Sequence, residues 1–331
     1  VQTYTNPHGH DLVMTQVQAA DHSVHPTNFR AAAEAVVSDE WWFGFEQEFF
    51  FTDPETGDPL GWENGEPGPQ GPYYCAVGAG NVVTIIDETA DIDDAAAKIA
   101  ASKIFDNATS CSSENAVIAV DSVYDEVVAA LGRHGGYLLD KAGADKLQSI
   151  HWHDGKMTTT LLAQDIETVL EAMGLTATAP DGTSFLVAPQ EHISADIPMT
   201  GEKMARFLAL YKASDFEDAK AKAVAIQTIQ GAGHSLGLHS TDDSRAHALA
   251  MEARTCRVIV NQAHCFANGG FFNNGMPFSL SMGCGSWGGN SIDENLNWTH
   301  FVNHVKIVRV IPERKPELDE IFSDYWAEFG K

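Results

Sequence analysis

Basic residues are scarce in this sequence. Only 20 Lys and Arg stand against 46 Asp and Glu over 331 residues, a formal net charge of −26. A nucleic-acid binder needs a basic footprint to neutralise phosphates, so that class is excluded. The same shortage disfavours electrostatic attachment to an anionic membrane. Charge of this size speaks to solubility more than to fold. Cysteine is sparse as well. Cys75, Cys111, Cys256, Cys265 and Cys284 are odd in number and form no C-x-x-C pair. A disulfide framework is therefore not expected, and a reducing, cytoplasmic compartment is. No apolar run reaches the ~18–20 residues of a transmembrane helix. The opening VQTYTNPHGHDL lacks a basic region and an apolar region, so no secretory leader is expected, and it lacks an initiator Met, which reads as a truncated start. Internal repeats are missing too. What is present is ordinary globular material: 44% of residues are hydrophobic, enough for a sizeable core in one or two domains.

The pattern of elements is α/β. An Ala-rich helix is expected over 28–37 and a buried aromatic strand over 41–51 (WWFGFEQEFFF). Residues 52–72 are dense in Gly and Pro, which set turns and stop regular elements. Beyond them, NVVTIID (81–87) reads as a buried strand. Residues 91–104 read as a helix with acidic residues in the first turn and Lys103 near the end, as the helix dipole favours. AVIAVD (116–121) reads as a strand and VYDEVVAALGRHG (123–135) as a helix. Helix and strand patterns continue through RVIVNQ (257–262), and VKIVRVI (305–311) reads as a strand before a Pro break and an amphipathic helix. A mostly parallel sheet between helical layers is the expected architecture.

Two segments carry candidate chemistry. In FGFEQEFFF, Glu46 and Glu48 are two residues apart, so on a strand they share a face. Carboxylates aimed into aromatic surroundings call for a cation, and Mg²⁺ or Mn²⁺ takes such oxygen ligands. A strand with one wet face is the plainer alternative. In FDNATSCSSENAVIAVD, Cys111 lies just before a strand among small hydroxyl residues. A thiolate there can act as a nucleophile, and nearby backbone N–H groups can hold an oxyanion. A buried structural cysteine is the alternative. His151 and His153 in HWHDG share a strand face by spacing, but without a third ligand a structural role is expected. Cys256, Cys265 and Cys284 read as packing residues.

Each segment also resembles a known family. HPTNFRA (25–31), GFEQEFFF, LGW and PQGPYYCAVGA resemble glutamine synthetases over residues 8–79. That resemblance implies divalent-metal ligation by Glu46 and Glu48 and covers the end of a β-grasp domain and the start of a catalytic barrel. The barrel's remaining carboxylates have no counterpart downstream. From about Val77 onward the chain resembles the acylating, coenzyme-A-dependent aldehyde dehydrogenases, and its details look closest to the sulfoacetaldehyde-type enzymes. The resemblance is carried by GAGNVVTIIDETADI (78–92), FDNATSCSSENAVIAVD (105–121), GEKMARFLALYKA (201–213), GAGHS (231–235) and SLSMGCGSWGGNSIDEN (279–295). It implies that Cys111 is the nucleophile and His234 an active-site histidine. It further implies Asn107 as a polar neighbour of the oxyanion and Glu202 as a contact of the nicotinamide ribose.

The two resemblances meet within AVGAGN (76–81). They divide the chain into a glutamine-synthetase-like fragment, 1–77, and an aldehyde-dehydrogenase-like catalytic region, 78–331. The expected fold is thus an α/β/α catalytic domain lacking most of its dinucleotide-binding domain. The implied reaction oxidises a small-molecule aldehyde to acyl-CoA with NAD or NADP, through a thioester on Cys111, at weak or no turnover. The C-terminal strand implies a homo-oligomer. A metal- and ATP-dependent ligase fragment and a non-catalytic hybrid are the alternatives.

Overall fold

The computed structural model describes Gln2–Thr5, Asp11–Met14, Ser23 and residues 80–331. The chain divides into two compact units, Val1–Glu66 and Pro67–Lys331, a boundary ahead of the 77/78 junction expected from the motifs. The first contains an antiparallel pair, β1 (Gln2–Thr5) and β2 (Asp11–Met14), with Gln2 opposite Met14. The expected helix over 28–37, the strand over 41–51, the stretch 52–72 and the metal candidates Glu46 and Glu48 lie outside the described residues.

The second unit is built on a seven-stranded sheet in which every pair is parallel. Its strands are β3 (Val82–Ile86), β4 (Glu114–Val120), β5 (Gly136–Leu138), β8 (Phe185–Gln190), β9 (Phe207–Ala213), β10 (Leu236–His239) and β11 (Val258–Val260), in the order β11-β10-β3-β4-β9-β8-β5. Strands covered on both faces need continuous apolar runs. VVTII and ENAVIAV supply them, and every residue of both is buried. Alternate side chains serve opposite faces. Val83, Ile85, Ala116, Ile118, Phe207 and Tyr211 pack towards helices α3 (Lys141–His151), α4 (Ile166–Met173), α5 (Phe216–Ile229) and α6 (Asp243–Glu252). Ile86, Val117, Ala119, Leu208 and Leu210 pack towards α1 (Ile92–Ile104) and α2 (Tyr124–Arg133). The acidic start of α1 is a cap: the Asp91 side chain accepts from the Asp94 N–H at 3.1 Å.

Two local expectations are corrected. His151 and His153 do not share a strand face. His151 is the buried last residue of α3, its Nε2 is 2.7 Å from Lys203 O, and its ring meets Trp152 and Phe207 edge-on. His153 lies in the two-residue strand β6 (Trp152–His153), which pairs with β7 (Lys156–Met157), and faces Asp154 at 3.2 Å. VKIVRVI forms no strand, because a strand needs a neighbour and the sheet offers this segment none among the described residues. The terminal helix α8 (Leu318–Phe329) forms where the amphipathic pattern places it. No helix among the described residues is long and apolar enough to cross a membrane.

Candidate active site

The chemistry-bearing residues gather at the amino ends of the strands. Gly80 precedes β3, Cys111 precedes β4, Glu202 and Lys203 precede β9, His234 and Ser235 precede β10, and Arg257 precedes β11. In a parallel sheet all these ends share one edge, so residues more than a hundred positions apart become neighbours. Cys111 is half-buried on the turn leading into β4. That turn is held by hydrogen bonds from Ser112 N to Ser110 Oγ (3.2 Å) and from Asn268 Nδ2 to Ser112 Oγ (2.8 Å). It follows three non-glycine residues in the left-handed region, Asp106, Asn107 and Ala108 (φ 47°, 51° and 61°). Such backbone is costly and persists only where its surroundings hold it.

His234 Nε2 lies 3.2 Å from Cys111 Sγ. The loop that carries His234 depends on Gly233. Its φ is +90°, and a Cβ there would lie 2.2 Å from Cys284 O and 2.7 Å from Gly288 N. Only glycine lets this loop close on the Cys284–Gly288 turn, which joins GAGHS to SWGG in space. Behind it Arg257 is buried, donating from Nη1 to His234 O (3.2 Å) and Gly283 O (2.9 Å) and from Nε to Asn295 Oδ1 (3.1 Å). Burial, reinforced by the Arg257 charge, pushes His234 down to about 3, so its imidazole is neutral at ordinary pH.

Glu202 and Cys111 both border Gly80. A Cβ on Gly80 would lie 1.9 Å from Glu202 Oε1 and 3.2 Å from Cys111 Cβ, so only glycine leaves room for both side chains at this point. Burial pushes Glu202 up to about 7, against the opposing pull of Lys103 and Lys203. The structure thus brings Cys111, His234 and Glu202 together. It places Asn107 differently: its Nδ2 donates to Ala163 O (3.2 Å) and Asp165 Oδ1 (3.1 Å), which ties the loop before Cys111 to residues 163–165.

Several members of the site were not visible in the sequence. His234 Nδ1 is 2.6 Å from Ser235 Oγ, and Ser235 Oγ is 2.8 Å from His264 Nε2. Glu114 and Lys103 are fully buried. Desolvation pushes Glu114 up to about 7 and Lys103 down to about 8, and Lys103 Nζ has no hydrogen-bond partner among the described residues. Lys203, also buried, donates to Met199 O (2.8 Å) and Gly201 O (2.6 Å). No motif announces His264, which is 30 positions from His234 and belongs to a short helix, α7 (His264–Asn268). A cavity of about 480 Å³ opens beside the Cys111 turn. Phe105, Phe266, Phe278, Met282, Ser110 and Ser112 line it, so it is apolar with a few hydroxyls. Among the described residues no three His, Cys, Asp or Glu side chains group as a metal site.

No family model matches the chain. A sulfoacetaldehyde dehydrogenase (acylating) of Cupriavidus necator is 45% identical over 264 residues, covering 78% of this chain and 54% of the relative. One from Bilophila wadsworthia is 36% identical over 266 residues, covering 78% and 56%. The crystal structure of an acetylating aldehyde dehydrogenase from Geobacillus thermoglucosidasius superposes with a TM-score of 0.66 at 30% identity, over 72% of this chain and 53% of that one. The chain thus spans about half the length of the relatives it matches. Over that span it is related, in sequence and in fold, to the acylating aldehyde dehydrogenases.

Proposed function

We propose that the chain acts as an acylating aldehyde dehydrogenase, with Cys111 as its nucleophile, converting an aldehyde, coenzyme A and NAD(P)⁺ to acyl-CoA, NAD(P)H and a proton. The observation that carries this reading is the 3.2 Å approach of a buried, neutral histidine to a half-buried thiol. The Cys111 sulfur adds to the aldehyde carbon and gives a thiohemiacetal. A nicotinamide, when bound, supplies the acceptor for the hydride that leaves this carbon. What remains on Cys111 is a thioester. The thiol of coenzyme A then takes the acyl group and the Cys111 sulfur leaves. Backbone N–H groups of the Cys111 turn are the candidate donors to the substrate oxygen.

The described residues offer Glu202 as one contact for the nicotinamide end and no dinucleotide cradle, so turnover with NAD(P)⁺ is expected to be slow. The apolar cavity with its hydroxyls suits a short acyl chain and the pantetheine arm of coenzyme A. Sulfoacetaldehyde, from the relatives' names, is the first aldehyde to try. The metal-dependent ligase reading rests on Glu46 and Glu48, which lie outside the described residues. The terminal segment exposes Val305, Val308, Val310 and Ile311, which supports the expectation of a homo-oligomer.

The decisive test is acyl transfer without nicotinamide. Incubation with acetyl-CoA is expected to leave an acetyl thioester on Cys111, read by peptide mass spectrometry, and none on Cys111→Ala. No adduct on the wild-type chain would refute the reading. NAD(P)H formation from aldehyde and coenzyme A then measures how much of the oxidation step the chain supports.

A further inference from the structure

We propose that His264 and Ser235 are positioning residues that fix the tautomer of His234, through a one-way chain of hydrogen bonds ending in an N–H donated to the Cys111 sulfur. The inference rests on the reading of Cys111 as the nucleophile and adds how its thiolate is held. Four groups lie in line: His264 Nε2, Ser235 Oγ, His234 with its two ring nitrogens, and Cys111 Sγ, separated by 2.8, 2.6 and 3.2 Å. Both rings and the serine are buried. A hydroxyl has one proton to give, so Ser235 donates to one imidazole and accepts from the other.

The far end of the chain decides the direction. His264 Nδ1 is fully buried and has no hydrogen-bond partner among the described residues. An orphaned buried N–H is among the rarest features of folded proteins, whereas an unused acceptor lone pair is better tolerated. The His264 proton therefore belongs on Nε2, where it is donated to Ser235 Oγ. The Ser235 proton then goes to His234 Nδ1. His234 is left with its proton on Nε2, pointing at the sulfur. Both rings are neutral, since burial holds each below its ordinary value. In this state His234 does not remove the thiol proton. The thiol proton goes to solvent, which the half-buried Cys111 reaches, and the His234 N–H then stabilises the thiolate.

The surroundings supply no competing proton route. Glu114 from β4 accepts the backbone N–H of His264 at 3.4 Å, which anchors the start of that short helix. Arg257 contacts the His234 carbonyl rather than its ring. Glu202 and Gly80 face Cys111, His239 from β10 contributes its field at His264, and Lys103 from α1 acts on Glu114.

The test is the pH profile of Cys111 alkylation in the whole chain. Iodoacetamide labelling is followed at the Cys111 peptide by mass spectrometry, across a range bracketing the ordinary thiol pKa of about 8.5. The wild-type midpoint is expected below that value. His264→Phe removes the donor at the head of the chain and is expected to raise the midpoint by about one pH unit, the scale of one charge-assisted hydrogen bond. His264→Gln presents an amide N–H to Ser235 and is expected to recover most of the shift. A His264→Phe profile that superimposes on the wild type overturns the proposal. Should His264→Phe fail to fold, judged by circular dichroism, ¹⁵N shifts of labelled histidine in the wild-type chain decide instead. Protonation of His234 at Nε2 supports the chain, and protonation at Nδ1 overturns it. Alkylation needs no aldehyde, coenzyme A or NAD(P)⁺. A shifted profile in a chain that forms no acyl adduct would therefore count against the proposed reaction and leave the hydrogen-bond chain standing.

Discussion

The two edges of the parallel sheet bury charge in opposite ways. At the carboxyl ends, after β3 and β10, the buried carboxylate Asp87 is paired with a cation, while His239 is pushed down to about 4 by burial. Asp87 is wholly buried, and its Oδ2 lies 2.6 Å from Arg245 Nη1, while Asp87 Oδ1 accepts from Thr89 N (2.8 Å) and Thr89 Oγ1 (2.6 Å). Arg245 also pairs with Glu88 at 2.5 Å and holds that carboxyl below its usual range. At the amino ends the buried groups are poorly matched. Lys103 Nζ, Glu114 Oε2, Arg257 Nη2 and His264 Nδ1 have no hydrogen-bond partner among the described residues. Glu202 and Glu114 are pushed up, and Lys103, Lys203 and His234 down. Open α/β sheets ordinarily bind ligands outside the carboxyl ends of their strands. Here that edge carries the paired cluster of Asp87, Glu88 and Arg245 beside a cavity of about 370 Å³, and Cys111, Glu202 and His234 sit at the opposite one. Matched charge is what a fold retains for itself, whereas perturbed charge beside a nucleophile marks a site.

The sharpest break between the two edges comes from removing their central groups. Cys111→Ala is expected to abolish acyl transfer, a loss on the order of 10⁴-fold or more, with the melting temperature nearly unchanged. Acyl-adduct formation and thermal unfolding measure the two effects separately. Arg245→Ala should do the reverse. It leaves the Asp87 carboxyl buried without its cation, at a cost of about 3–5 kcal/mol. Urea unfolding would show that loss, while Cys111 alkylation at pH 7 stays within about twofold of wild type, the scatter expected for a site untouched by the change. A large drop in alkylation with Arg245→Ala would mean that the two edges are not independent.

The difference between the edges also explains what was legible in the sequence. Elements with a period were legible. The strands expected over 81–87 and 116–121 and the helix expected over 91–104 form, as Val82–Ile86, Glu114–Val120 and Ile92–Ile104, because burial on both faces of a sheet leaves little choice of residue. His234 and Glu202 were singled out only through their motifs and Cys111 also through its own surroundings, and the sheet brings His234 to 3.2 Å from Cys111. Ser235 and Glu114 lie inside the quoted motifs but nothing there announces a role for them, and His264 and Arg257 lie outside those motifs and act through partners far away in sequence. Asn107 shows the limit of a motif. Its left-handed backbone turns the amide onto Ala163 and Asp165. VKIVRVI shows the limit of propensity: β-branched residues make a strand only where an edge is available to pair with.

Glu202 gives the comparison a pH axis. Its carboxyl is pushed from an ordinary 4.5 to about 7 by burial. Between those values the folded state binds more protons than the unfolded state, so this group makes stability fall as pH rises. The penalty is absent below the unfolded value and complete above the folded one. Glu202→Gln removes it. The variant should match wild type at acid pH and exceed it by about 1–3 kcal/mol once the wild-type carboxyl has ionised. Unfolding followed at a series of pH values tests the sign. A Glu202→Gln advantage that shrinks with rising pH would show that the wild-type carboxylate is paired after all. The Glu88 carboxyl, held down by Arg245 at the other edge, predicts the opposite trend for its own removal.

The smallest expected effect lies again at the carboxyl edge. Asp215 caps α5, its Oδ1 accepting from Asp218 N at 2.9 Å, while Asp218 Oδ2 accepts in return from Ser214 N at 2.9 Å. Asp215→Ala loses one side of this reciprocal cap and should cost about 1 kcal/mol, with Asp215→Asn losing less. The next residue, Phe216, has its ring 4.9 Å from the Arg245 guanidinium, so the cap and the ion-pair cluster share a neighbour. Distant sites add, but sites with a common partner do not. The double variant Asp215→Ala, Arg245→Ala should therefore fall short of the summed losses by about 0.5 kcal/mol or more. Strict additivity would mean that Arg245 supports this edge through Asp87 and Glu88 alone, and that its stacking on Phe216 contributes nothing to the helix start.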